Sequence, residues 1–402
     1  MKKLIYIFVI SSFVLNMANA QNWKVLNSGT SVNLFSVYFP AAATGYVAGD
    51  SSTILKTSNG GTTWVRQTIM VPNYTYYSIF FTDTLNGCVT GIPGDVIITS
   101  NGGNPWHEGI VDGYSYSLNS LYFTNESTGY VVGSATPDSG GLIRKSTISG
   151  DGWPFDTVIG PSSLESVFFP SAKTGYAVGD SGTVIKTVDG GVHFVVLPSG
   201  YRMNLYSVYF TDTVTGYAVG DSGTILKTVD GGTNWVKQVS GTSSRLKSVF
   251  FADANIGYAA GWNGTILATT NGGTDWTSEF SGTSYCLNSV FFTDVLTGYI
   301  AGDSGIILKT TNGGGVGIDE VSLSSEPLKI YPTPSSTRVT IETSSTLSGS
   351  QLSIMDLNGQ EIMTCQISQP KTQIDVSKLP SGVYFVKIQT GNYTEVKKLV
   401  VE

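Results

Sequence analysis

Apolar and polar residues alternate along this chain in short runs, and the runs end at glycine, asparagine, aspartate or serine. Residues 216–235, GYAVGDSGTILKTVDGGTNW, hold the whole cycle: an apolar run, a tight turn, a second run, a second turn, and the start of a third run. Period-two alternation bounded by such turns predicts β-strands. Nowhere does a helical apolar period persist between caps. The step Gly-Tyr-x-x-Gly recurs at Gly45, Gly87 (with Cys88 for tyrosine), Gly129, Gly175, Gly216, Gly257 and Gly298, at spacings of 42, 42, 46, 41, 41 and 41 residues. That makes seven copies of one unit, with an insertion in the third.

Each copy divides into four strands. In the fifth, strand A covers 205–210 (L-x-S-V-x-F in most copies), B covers 216–220, C covers 224–228, and D begins near Trp235. Four short strands in a ~40-residue repeat predict a β-propeller blade. A β-solenoid competes, and the ends of the repeat array separate the two. The seventh copy, 289–314, has no strand D, yet Asn22-Trp23-Lys24-Val25 and Ser28-Gly29-Thr30-Ser31 match Asn234-Trp235-Val236-Lys237 and Ser240-Gly241-Thr242-Ser243. A closed ring uses such a displaced strand to complete its last blade and remove open edges. The expected fold is all-β: a seven-bladed propeller over 21–314, closed by an N-terminal strand carrying Trp23, then a small C-terminal β-sandwich.

The C–D turns share a signature, Ser/Thr-x-Asp/Asn-x-Gly-x-Thr-Trp. Residues 57–64, 228–235 and 269–276 match it closely, 187–194 and 99–106 more loosely, and 146–153 has Ile148 in place of the acid. The acid or amide (Asn59, Asn101, Asp189, Asp230, Asn271, Asn312) accepts backbone N–H bonds in the turn. The ring that follows (Trp64, Trp106, Phe194, Trp235, Trp276) buries area between blades. This resembles the Asp-box, or bacterial neuraminidase repeat. With the T-G-Y-A-V-G-D-S-G-T step, the set looks most like the propellers of the photosystem II assembly and stability factor family. The resemblance implies the fold far more than the function. In sialidases and other glycosidases the box is a structural hairpin away from the active site.

The ends of the chain give its destination. Lys2 and Lys3, an apolar run over 4–14 and Ala18-Asn19-Ala20 read as a secretory signal, with cleavage expected before Gln21. The apolar run is short for a membrane anchor, and no integral membrane segment is expected in the mature chain. Residues 315–327 read as a linker. Beyond it, alternating runs at 339–341, 352–354, 374–376 and 383–388 predict the sandwich over 328–402. Tyr331-Pro332-Thr333-Pro334, the 355–361 stretch with Gly359, Gly382 within 379–384, and Lys397-Lys398-Leu399-Val400 resemble the type A sorting domain of type IX secretion, with Thr333 where asparagine is usual. The resemblance implies handling by that machinery, passage across the outer membrane, tail removal, and surface attachment or release. A carbohydrate-binding sandwich is the alternative.

Composition narrows the chemistry. The formal charge of −7 grows more negative when Lys2 and Lys3 leave, which excludes nucleic acid as an expected partner. Cys88, Cys286 and Cys365 form no disulfide framework, and Cys88 is expected to pack as a small apolar residue. Gly220-Asp221-Ser222-Gly223 looks like the surroundings of a serine nucleophile, but it recurs at 179–182 and 302–305. A nucleophile is needed once, beside a histidine, and only His107 and His193 exist. We read these as turns, and expect no zinc site and no cofactor. A sialidase needs clustered arginines. The propeller has Arg66, Arg144, Arg202 and Arg245; Arg66 falls on outermost strand D and Arg144 on strand C, so neither is expected to reach the axis and no arginine triad is expected. A glycosidase needs two carboxylates; the candidates are Glu165 and the B–C turn acids Asp50, Asp180, Asp221 and Asp303, read first as turn chemistry. Lys56, Lys145, Lys186, Lys227 and Lys309 occupy one strand-C position and read as a solvated stripe.

What varies inside the regular repeat is more informative. The residue before the repeated strand-A serine is Phe35, Tyr77, Asn119, Glu165, Tyr206, Lys247 and Asn288. Strand A is innermost in a propeller, so these form a ring near the channel mouth. The D–A loops of that face carry Tyr74, Tyr76, Tyr114, Tyr116, Tyr201, Arg202 and Tyr285; one B–C turn carries Trp262, and the third has the insertion 135–141. Exposed rings mark interaction surfaces, although tyrosines also pack between blades. The expectation is a non-catalytic binding module for a glycan or protein ligand. The alternatives are a glycoside hydrolase on the same face, using Glu165 and a turn aspartate, and an assembly factor for other envelope proteins.

Overall fold

Seven antiparallel four-stranded sheets follow one another in the computed structural model of the chain. The structure describes residues 22–69, 74–111, 117–136, 139–147, 149, 152–153, 157–159, 162–315, 329–342, 351–356, 360–367, 369, 371–390 and 393–402. The leader, most of the linker, Tyr114, Tyr116 and Gly359 lie outside these residues. The chain divides after Gly317 into two compact units.

In the first unit the seven A strands are Leu34–Tyr38, Thr75–Phe81, Ser117–Phe123, Leu164–Phe168, Leu205–Phe210, Leu246–Phe251 and Leu287–Phe292. Each packs against the next, and the last packs against the first, so the ring closes. Blade 7 is completed by Lys24–Leu26, which pairs with Ile307–Thr310 with Lys24 opposite Lys309 and Leu26 opposite Ile307. Blade 3 departs from expectation. Its fourth strand is Thr157–Ile159, while Gly152–Trp153 pairs in parallel with Ile110–Val111. The degenerate turn at 146–153 and the insertion before it displace the strand past the tryptophan.

One aromatic stack repeats between blades. In six of the seven interfaces the strand-B tyrosine of one blade stacks on the phenylalanine at the end of the next blade's strand A. Tyr46–Phe81 and Tyr176–Phe210 are 3.8 Å apart, and Tyr217–Phe251 and Tyr258–Phe292 4.0 Å. The Asp-box indole meets that phenylalanine edge-on, as Trp235 meets Phe210 at 6.1 Å. Trp23 does the same for Phe292 at 5.9 Å and is fully buried. Such triads bury large rings with favourable edge–face geometry, which welds separate sheets into one ring. In the turns themselves, the Asp230 and Asn271 side chains accept the backbone N–H of residues 234 and 275, as the box predicts.

The lysines do not form a solvated stripe. Lys56, Lys145, Lys186, Lys227 and Lys309 are half-buried, and each Nζ donates to the turn carbonyl of the next blade (Gly102, Gly190, Gly231, Gly272 and Gly60) at 2.6–2.7 Å. The stacked tyrosine hydroxyl donates to the same carbonyl, as Tyr217 does to Gly272 at 2.7 Å. The partner lies in another blade, which explains why local alternation misses it.

In the second unit one sheet holds Lys329–Tyr331, Arg338–Glu342 and Lys371–Asp375, and the other Glu361–Gln366, Gln351–Met355, Gly382–Thr390 and Tyr393–Val401. Val339, Ile341, Leu352, Ile354, Ile374, Val386, Ile388 and Leu399 share one buried core, giving a small sandwich. Tyr331 is exposed, Gly382 opens the long hairpin, and Lys397 and Lys398 are exposed on the final strand.

Candidate binding face at the channel mouth

Every A strand carries a β-bulge, and every bulge falls at the variable residue. Pairing with strand B passes from Leu34 to Ser36, Tyr76 to Ser78, Leu118 to Ser120, Leu164 to Ser166, Leu205 to Ser207, Leu246 to Ser248 and Leu287 to Ser289. Phe35, Tyr77, Asn119, Glu165, Tyr206, Lys247 and Asn288 are thus left out of the ladder, which re-aims their side chains. A glycine of strand B stands beside each bulge; a Cβ on Gly220, for example, would overlap the Asn204 carbonyl. All seven bulged residues line one cavity of about 680 Å³.

The serines that follow hold this level fixed. Each Oγ accepts a backbone N–H from the next blade, from Ile79 N to Ser36 round to Val37 N to Ser289, at 3.1–3.2 Å. Two residues beyond each serine stands an aromatic ring: Tyr38, Phe80, Tyr122, Phe168, Tyr209, Phe250 and Phe291. Neighbouring centroids are 4.7–5.3 Å apart in an unbroken circle. This collar lies three residues beyond the bulges on every A strand. Burial pushes the Tyr209 hydroxyl up to about 12 and raises those of Tyr38 and Tyr122, so the collar stays neutral.

The wall of the cup is not uniform. Phe35 and Tyr77 meet edge-on at 5.3 Å. Asn119 and Asn288 brace the wall, donating to the Leu164 and Leu34 carbonyls of the next blade at 3.0 Å. Blades 4 to 6 bring charge. Lys247 Nζ lies 4.2 Å from the Tyr206 ring, and the Arg245 guanidinium lies 5.0 Å from Tyr206 and 4.2 Å from Trp262. Asp221 accepts from Arg245 Nε at 2.6 Å and from the Tyr206 hydroxyl at 3.3 Å. The result is a ladder of alternating cations and rings. Burial, and then Asp180, raise the Glu165 carboxyl, with Lys247 opposing. Burial, and then Asp221, raise Asp180. Burial lowers the Lys247 ammonium against the pull of Glu165.

Several loop residues expected at the mouth stand elsewhere. Tyr76 is fully buried between blades 1 and 2, because it takes the leucine position of strand A, which points into the interblade core. Tyr201 packs against the blade 4–5 core, and its hydroxyl accepts from Lys237 N on the outer strand Val236–Gln238 at 3.2 Å. Arg202 and Tyr285 are exposed but do not line the cavity. Trp262 does, at 44% exposure. The Asp-Ser-Gly triplets are turns, with Ser181, Ser222 and Ser304 at φ of 53–56°. His107 and His193 are exposed, on an outer strand and in a C–D turn. Sequence reasoning missed a second tier two residues before the bulges, where Asn33, Ser117, Ser163, Arg245 and Cys286 also line the cup. The signal was present as a fixed offset from the bulge.

Fold and mouth define a closed propeller whose one face is a cup built from variable residues on an invariant frame. The Photosynthesis system II assembly factor YCF48 profile matches residues 15–112, 194–278 and 237–333, and the chain belongs to that family. The Secretion system C-terminal sorting domain profile matches residues 329–402. That tail marks the protein for export across the outer membrane, to the cell surface or beyond. Among solved structures the chain is similar to "YCF48 bound to D1 peptide", at 20% identity and a TM-score of 0.62, covering 72% of this chain and 97% of that one. It is also similar to YCF48 from Cyanidioschyzon merolae, at 18% identity, a TM-score of 0.61 and coverage of 72% and 98%. The WD40 propeller of Doa1 is similar at 11% identity, with a TM-score of 0.57 and coverage of 71% and 94%. No curated protein matches the chain by sequence.

Proposed function

We propose that the exported propeller is a non-catalytic binding module, and that its cup holds a segment of another envelope polypeptide. The observation that carries this is the convergence of all seven bulged residues on one cavity of about 680 Å³. The frame needs glycine, serine and aromatic residues at fixed places, whereas the bulged positions are released from pairing and differ from blade to blade. The cup mixes aromatic rings with charges of both signs, which suits a polypeptide segment carrying apolar and charged groups. A similar fold has been solved with a peptide bound, which favours polypeptide over glycan. The role is then an assembly or scaffold factor for other exported proteins, with the sorting tail removed after passage and the propeller attached or released.

Immobilised chain, compared with a Tyr77→Ala, Lys247→Ala variant, tests this on solubilised envelope. Retention of a defined envelope protein, lost in the variant, is the expected result. Unchanged retention would place the site off the cup. Retention on polysaccharides alone would replace the polypeptide ligand with a glycan.

A second reading rests on Glu165 and Asp180, two acids that line one cavity and are both raised by burial and by a neighbouring carboxylate. This pair would serve a glycoside hydrolase. Release of reducing ends from a polysaccharide, abolished by Glu165→Gln, would establish it.

A further inference from the structure

The interface between blades 2 and 3 breaks the repeat in two places at once. Cys88 stands where the other blades have the stacking tyrosine, and Ile98 where five have the lysine. Blade 3 still presents the phenylalanine, Phe123, with Trp153 edge-on to it at 6.1 Å. Among the described residues, Phe123 has no ring at the 3.8–4.0 Å spacing seen in the other interfaces; Phe80 is its stacked neighbour, at 5.8 Å. Ser149 takes the place of the acceptor glycine. It keeps that glycine's positive φ, 57°, and its N–H bond to the loop before it, at 3.0 Å. With Cys88 and Ile98 at those positions, neither the tyrosine hydroxyl nor the lysine ammonium of the repeat comes to its carbonyl among the described residues. A cavity of about 270 Å³ remains, lined by Cys88, Ile98, Phe80, Phe123 and Ser149, with His107 and Glu126 also on its wall.

We propose that this cavity binds a small phenolic ligand, whose ring occupies the place of the absent tyrosine. The ring stacks on Phe123 and its hydroxyl donates to the Ser149 carbonyl, as the Tyr46 hydroxyl donates to Gly102 at 3.0 Å one interface earlier. Phe80, Cys88, Ile98 and Phe123 give the cavity an apolar side for the ring, and the rest of its lining is glycine or polar, with Ser149 among the polar residues. The volume holds one ring, since apolar cavities of about 150 Å³ already admit benzene. The site is separate from the cup, so its occupancy does not depend on the proposed function.

Titration of the full chain with p-cresol, followed by ligand-observed NMR, tests this. One saturable site is expected. Cys88→Tyr refills the slot from within and should weaken binding by about tenfold or more, the loss of one stack and one hydrogen bond. Should that variant fold poorly, the native chain gives a second reading. Saturating p-cresol should raise the urea midpoint of the native chain, and toluene, which lacks the hydroxyl, should bind several-fold more weakly. Absence of saturable binding, equal binding by folded Cys88→Tyr, or toluene bound as tightly as p-cresol would each overturn the proposal.

Discussion

Closure of the ring is tied to pH through Glu279. This residue ends the outer strand of blade 6, Thr277–Glu279, and its Oε2 accepts the indole N–H of Trp23 at 2.9 Å. Trp23 is buried against Tyr258 and Phe292, in front of the closing strand. Burial pushes the Glu279 carboxyl from 4.5 up to about 7, and the indole bond opposes the rise only in part. A raised acid holds its proton more tightly in the folded chain than in the unfolded one. Its stabilisation is therefore complete below about pH 4.5 and is lost as pH rises through about 7. The gap corresponds to about 3 kcal/mol at most. Glu279→Gln keeps an acceptor oxygen for Trp23 and cannot ionise. At about pH 5 the variant should unfold in urea close to the native chain; at about pH 8 it should be more stable by about 2–3 kcal/mol. All seven tryptophans fall between residues 23 and 276, so indole fluorescence follows the propeller alone. Stability curves that run parallel from acid to base would refute the reasoning, because the Glu279 carboxyl would then be equally ionised in both states.

Two further outcomes follow from the interblade bonds. Lys227→Met removes a donor to the Gly272 carbonyl and should cost about 1–2 kcal/mol in urea unfolding, while Lys237→Met, on the exposed outer strand, should stay within about 0.5 kcal/mol. Deleting residues 22–26 strips blade 7 of its outer strand and exposes the edge at Ile307–Thr310; light scattering should show self-association of the truncated chain, and a monomer of native stability would count against closure.

The ring was legible because its punctuation is chemical. Glycine, the Asp-box and the tyrosine–glycine step recur at nearly constant spacing, and the orphan strand at Trp23 announces its partner. The bulge was not legible, because Leu205-Tyr206-Ser207-Val208 reads as ordinary alternation and an unpaired residue leaves no mark in composition. Tyr76 was misplaced by one position: read as loop, it fills a leucine site in the core. The lysines were misread for a different reason. Lys227 meets Gly272, 45 residues away in the next blade, and local pattern records only that it faces away from its own sheet's core. The collar was legible and overlooked, since an aromatic residue stands three places after every variable position.

The bulge separates what the frame requires from what it leaves open, and that division can be measured. Ser207 and Tyr206 are neighbours in one strand with opposite duties. The serine accepts the N–H of Val249 at 3.1 Å and is one of seven links that hold adjacent blades at one level. Removing it leaves a backbone donor without its partner, at about 1–2 kcal/mol. The bulged side chains of Phe35 and Lys247 pair with nothing across the ladder and face the cup. Phe35→Ala and Lys247→Ala should therefore change stability by no more than about 0.5–1 kcal/mol, whereas Ser207→Ala should reach or exceed the upper figure. Asn119 and Asn288 stand apart, because their amides bond to the next blade, and alanine at either should behave like the serine variant. If Phe35→Ala and Lys247→Ala destabilise as much as Ser207→Ala, the variable positions belong to the frame, and their differences between blades reflect packing and not recognition.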